Sequence, residues 1–166
     1  MRRLLLLASA ALLASCGKEP AEEHETIDTA TVEKALRGKA VPVELQPIRL
    51  PDIEKHKLYG TSCAFAPEGG GLGAVAMAME DAGYLKIGKE VLRYAADKGS
   101  AELPFGTRTQ YDGRINSFDL LPDGGAAPAQ SGTSVTFPGR LIVRDTHERV
   151  VYDQPGEIQC NRGPAQ

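Results

Sequence analysis

A mainly β domain, an antiparallel sandwich or small open barrel of about eight short strands, is the fold that this sequence predicts. Three observations carry the prediction. Apolar and polar residues alternate over short runs, at the period of a pleated strand. The runs are separated by turn residues, drawn from 18 glycines and 11 prolines. The composition of the 166-residue chain, 42% hydrophobic and 25% charged, is that of a soluble globular domain and excludes collagen-like, fully disordered and multi-span membrane chains.

From Gly17 to Ala40 the chain is charged and poor in large apolar groups, which describes a solvated tether. Within it one short helix is expected. Asp28 stands at a capping position, Val32, Ala35 and Leu36 share a helical face, Glu33 and Arg37 are four apart, and Gly38 supplies a stop. Pro42, Pro47 and Pro51 keep Val41 to Pro51 extended, as an edge segment and not a central strand. Leu58 to Ala66 reads as a first strand. Ala74 to Met79 reads as a second, with Val75, Met77 and Met79 on one face and alanines on the other. Tyr84 to Ile87 and Val91 to Tyr94 flank Gly88-Lys89-Glu90, a hairpin with a glycine free to take positive φ. Phe105, Thr107, Thr109 and Tyr111 alternate with polar or small residues, and Asp112-Gly113 turns into Ile115 to Leu121. Pro122 to Gly132 is rich in Pro, Gly and Ala and reads as a long loop. Val135 to Phe137 is a further strand. Arg140 to Arg144 pairs across Asp145-Thr146-His147-Glu148 with Arg149 to Tyr152, and Ile158 to Cys160 closes the domain.

The N-terminus carries an address. Met1-Arg2-Arg3 is basic, Leu4 to Leu13 is an apolar run too short to cross a bilayer as a helix, and Leu13-Ala14-Ser15-Cys16 follows at once. These four residues resemble the lipobox of bacterial lipoproteins. The resemblance implies cleavage before Cys16, acylation of its sulfur, and anchoring in the cell envelope. Gly17 in place of Asp after the cysteine implies the outer membrane, facing the periplasm. The chain then divides into a signal over 1–15, a lipid-anchored tether and extended segment over 16–56, a β domain over 57–160 and a tail over 161–166. Of 19 basic side chains Arg2 and Arg3 leave with the signal, so 17 face 22 acidic ones. That balance offers no basic stripe for nucleic acid.

With Cys16 acylated, Cys63 and Cys160 make an even pair in an oxidising compartment, and a disulfide between them is expected. A closed loop of about 100 residues is worth about 4.7 kcal/mol in the chain-entropy account. Free thiols or a metal pair are the alternative, although neither cysteine has another Cys or a His at ligand spacing.

No motif for catalysis or a cofactor stands out. Gly69 to Ala74 matches the dinucleotide fingerprint, whose context is a preceding strand, a following helix and an acid about twenty positions on; Glu90 is near that offset but in a hairpin turn. His147 beside Asp145 and Glu148 offers a metal reading, against which stands an ordinary solvated turn. Ser62 or Ser134 with His56 or His147 and an aspartate such as Asp52 would compose a hydrolytic triad, without a nucleophile-elbow motif. Glu80 and Asp81 are adjacent acids that a strand would turn to opposite faces. Cys63 is a nucleophile only if free. No metal, cofactor or catalytic residue is therefore assigned.

The expectation is a lipid-anchored envelope protein that binds an envelope protein or polymer, with exposed edges such as Val41 to Leu50 accepting or donating a strand. Three alternatives stand beside it. In outline the cysteines and strands are similar to small lipoproteins that inhibit lysozyme, with Ser131-Gly132 as the one hint of their inhibitory loop. A ligand cavity lined by Val75, Met77, Met79, Leu85 and Ile87 is the second, and an envelope hydrolase the third.

Overall fold

A computed structural model describes residues 29–163 apart from 37, 72 and 125–127, and apart from the side chains of 34 and 35. The lipobox, Asp28 and Arg37 lie outside the described residues. The described residues divide into two units, one up to Leu36 and one beyond it. In the first, the expected short helix is present as α1 (Thr29–Leu36).

The second unit is a β barrel. Its strands are β1 (Ser62–Pro67), β2 (Ala76–Ala78), β3 (Ala82–Ile87), β4 (Glu90–Ala96), β5 (Gln110–Asp112), β6 (Asn116–Pro122), β7 (Ala129–Ser131), β8 (Ser134–Asp145) and β9 (Val150–Asn161). They lie in the order β6-β5-β4-β3-β2-β1-β9-β8-β7, all neighbours antiparallel. β6 also pairs with β8, from Asn116↔Asp145 to Pro122↔Gly139, so eight strands close into a barrel and β7 hangs beside the far end of β8. This pairing excludes the sandwich and the open barrel. The β3–β4 hairpin turns on two residues, Gly88-Lys89, because Ile87 and Glu90 face each other; Gly88 has φ 59°.

Several strand boundaries differ from expectation. The stretches 135–137 and 140–144 are one strand, as are 149–152 and 158–160, since β8 and β9 run unbroken through Pro138-Gly139 and Pro155-Gly156. Gly139 faces Gly156, and both glycines lie in close contact with their neighbours. A Cβ on Gly156 would lie 2.2 Å from the Ala66 carbonyl oxygen, and one on Gly139 2.5 Å from Ile158 Cδ1. Phe105 to Thr109 is not a strand. Phe105 takes φ 63°, and hydrogen bonds Leu103 N–H to Thr107 O (2.9 Å) and Thr109 N–H to Ala101 O (3.0 Å) fold the segment back on itself. Part of the expected 122–132 loop is β7, which continues the β6 edge of β8.

The barrel interior is filled by its own side chains, as narrow eight-stranded barrels allow. Phe65, Leu85, Phe118, Leu120, Leu141, Val143 and Ile158 are fully buried, and Tyr94 and Tyr111 nearly or wholly so. Phe118 stacks on Tyr111 (centroids 4.9 Å, 16°) and meets Tyr94 edge-on (5.1 Å, 81°). The ring pair needs the space that Gly83 leaves in β3, where a Cβ would lie 2.4 Å from Phe118 Cζ.

The segment before β1 docks on this barrel. Val43 N–H donates to Val151 O (3.0 Å), Gln46 N–H to Lys86 O (2.8 Å) and Ile48 N–H to Ala74 O (2.8 Å), while Leu45 bridges Ile87 and joins the core. It is thus extended up to Arg49, but Leu50 and Pro51, expected to be extended too, open a helix in which proline is tolerated in the first turn. The backbone before them is already engaged within the unit and is not a free edge. α2 (Leu50–His56) follows, and Ile53 joins Ile48, Leu58, Met77, Tyr84 and Val91 in a second apolar cluster. Leu58 belongs to that cluster and not to β1. Cys63 and Cys160 face each other across β1 and β9, buried, with Cα atoms 3.8 Å apart, and form the expected disulfide over 97 residues.

Candidate functional site

Most residues singled out in the sequence are held in structural roles. Gly69 to Gly71 turn after β1, and Ala74 leads into strand β2, not the helix that a dinucleotide fingerprint requires. Gly73 lets Pro47 pack against it, since a Cβ would lie 2.6 Å from Pro47 Cβ. The Asp52 carboxylate accepts from Lys86 Nζ (2.6 Å) and from the Arg49 amide (2.9 Å), and the Lys86 bond foremost holds it below the ordinary carboxylate range. Ser134 Oγ accepts from Gln159 Nε2 at 3.2 Å. Asp145 organises the β8–β9 turn. Its carboxylate accepts from Arg149 Nε (2.8 Å) and from the amides of His147 (2.9 Å) and Arg149 (3.1 Å), so its pKa falls to about 2, with the Arg149 side chain as the main cause. Arg149 also donates to Gly38 O at 2.7 Å. Among the described residues no group of three metal-ligating side chains gathers around His147 or elsewhere. Asp81 pairs with Lys98 (2.6 Å), which also donates to the Glu80 carbonyl. Cys63 is in the disulfide, against which the Thr107 hydroxyl lies at 3.0 Å.

The five apolar residues suggested as a cavity lining do not form one. Val75 and Leu85 are in the barrel core and Ile87 packs against it, but Met77 lies in the outer cluster. The alternation in β2 runs the other way, with Ala76 and Ala78 inward, because the closely packed interior has room there only for small side chains. Ser131-Gly132 forms the exposed tip of the β7–β8 turn.

A groove that the sequence did not reveal opens where β4 outruns β5. Only Ala95 and Ala96 of β4 pair with β5, so the edge from Glu90 to Tyr94 has no strand beside it. The facing wall is the β5–β6 turn. Leu92, Arg93, Tyr94, Gly113, Arg114, Ile115 and Asn116 line a space of about 300 Å³. In place of ladder bonds a side-chain latch spans the two walls. Tyr94 Oη donates to Asn116 Oδ1 at 2.6 Å, the Tyr94 ring covers Gly113, and Gly113 N–H donates to Asn116 O at 3.0 Å. Burial pushes the Tyr94 hydroxyl up to about 12, which keeps it a neutral donor. Ile115 is 60% exposed at the rim. Arg93 and Arg114 are exposed and make no hydrogen bond or ion pair among the described residues. The arrangement offers main-chain groups, an apolar floor and two cations. Among the described lining residues none is a Ser, Cys, His, Asp or Glu. Alternation cannot find such a site, since the length mismatch between a seven-residue and a three-residue strand appears only once they pair. No family model, curated protein or solved structure matches this chain.

Proposed function

We propose that this is a lipid-anchored protein of the bacterial cell envelope, held by an acylated Cys16 on the outer membrane and facing the periplasm, that works by contact with another envelope component and not by catalysis. The observation that carries the functional part is the filled interior. Nine large side chains occupy the barrel from wall to wall, so what the domain offers a partner is its outer surface. The Leu13-Ala14-Ser15-Cys16 sequence supports the anchor, and a buried disulfide suits an oxidising compartment. Among the carboxylates nominated for chemistry, Asp52, Asp81 and Asp145 are engaged in ion pairs.

The test is metabolic labelling with a clickable fatty acid, followed by crosslinking in intact cells and mass spectrometry. Label on the natural chain and none on Cys16→Ala, with a partner recovered at near-equal amounts only when Cys16 is intact, is the expected outcome. An unlabelled natural chain defeats the anchor, and recovery that is the same for both chains defeats the anchored assembly.

A further inference from the structure

The free edge of β4 has its hydrogen-bonding groups turned outward. In an antiparallel pair, residues alternate between those bonded to their partner and those whose amide and carbonyl point away. On β3, Lys86 O accepts from Gln46 and Ala82 O accepts from Met79, so both residues point away from β4. Their partners Val91 and Ala95, and Arg93 midway between them, therefore point away from β3. Ala95 meets β5 at Asp112. Val91 and Arg93 meet no strand, and their two amides and two carbonyls face the side on which the groove lies.

Most other arginines among the described residues are engaged. Arg108 pairs with Glu102, Arg140 with Asp153, Arg144 with Asp119 and Arg149 with Asp145, while Arg162 lies over the Phe105 ring. Arg93 and Arg114, one on each wall, are left without such a partner among the described residues. Arg93 acts only at a distance on Asp81, and Glu90 stands at the hairpin end of the edge. A second copy of the chain paired antiparallel about Arg93 would set Arg93 against Arg93, and one paired about Val91 would set Arg93 against Lys89, so both bring like charges together.

We propose that the open edge of β4 is a strand-addition site for a short extended segment of a partner protein that carries acidic side chains. The segment would pair with Val91 and Arg93 where β5 stops, lay an apolar side chain over Leu92 and Ile115, and set its carboxylates against Arg93 and Arg114. This rests on the reading that the protein works by contact with a partner, and it names the surface and the partner's chemistry.

The test uses the purified full chain in detergent and a capped, fluorescent seven-residue peptide of alternating valine and glutamate. Two companion peptides carry lysine for glutamate, or N-methyl groups on alternate amides. Binding by the glutamate peptide that is at least tenfold tighter than by either companion, at least tenfold weaker for Arg93→Glu with Arg114→Glu, and accompanied by slowed hydrogen exchange at the Val91 and Arg93 amides is expected. Both arginines are exposed, so an unchanged melting temperature checks that the variant folds. No binding at millimolar peptide, equal binding of the lysine peptide, or undiminished binding of the N-methylated one overturns the site. A crosslinked partner retained by the Arg93→Glu, Arg114→Glu chain in cells also overturns it, while leaving the broader contact function standing.

Discussion

At Gly156 a single methyl group would have to share space with the Ala66 carbonyl oxygen, which is backbone and cannot swing aside. Gly156→Ala is expected to destabilise the domain by about 1–3 kcal/mol through overpacking, read as a lower urea midpoint at unchanged slope. The sequence marks Pro155-Gly156 and Pro138-Gly139 as punctuation, and punctuation reads as a strand end. That they lie inside strands depends on Ile158 and Phe65 packing against the two glycines, which no local pattern encodes. Asp145 was more legible. An aspartate opening a polar turn between two apolar runs is a strong local signal, and the structure adds the Arg149 clamp. Its folded pKa is about 2 against an ordinary 3.8, so its contribution is present above the unfolded value and lost as pH falls from 3.8 towards 2. Thermal melts through that window should show a loss of stability that Asp145→Asn lacks.

Among the elements, the extended segment before β1 shows how far local chemistry reaches. Its prolines forecast an extended path from Val41 to Pro51, and that path is observed as far as Arg49, beyond which Pro51 sits in the first turn of α2. What covers it was hidden, because a lone edge and a docked one share the same residue pattern. Leu45 carries the docking as a core side chain between the Val43–Val151 and Gln46–Lys86 hydrogen bonds. Leu45→Ala should cost about 2–4 kcal/mol and, in hydrogen exchange, should loosen the amides of Val43, Gln46 and Ile48 ahead of those in β8 and β9. The alternation from Phe105 to Tyr111 misled for a related reason. Its period is that of a strand, but positive φ at Phe105 and the bonds around Thr107 spend the backbone in a compact turn, leaving only Gln110–Asp112 to pair. The groove beside β4 is the direct result of that shortened β5.

For the molecule as a whole, eight strands and turn chemistry were enough to predict an antiparallel β domain but not its closure. Closure rests on β6 meeting β8, from Asn116↔Asp145 to Pro122↔Gly139, a pairing that no local pattern encodes. The disulfide was legible by arithmetic alone once Cys16 was set aside. Replacing Cys63 and Cys160 together by alanine should cost about 2–5 kcal/mol, seen as a lower melting temperature that reducing agent no longer alters. The position of that bridge also decides how the molecule bears tension. A pull between Gly38 and the last residue of β9 travels through the docked segment and α2 to Cys63, then crosses to Cys160. The 97-residue span between the cysteines lies outside the load path. Under force the chain from 38 to 63 pays out by on the order of 80 Å and then stops. The barrel, and the β4 edge within it, stays folded at the end of that line.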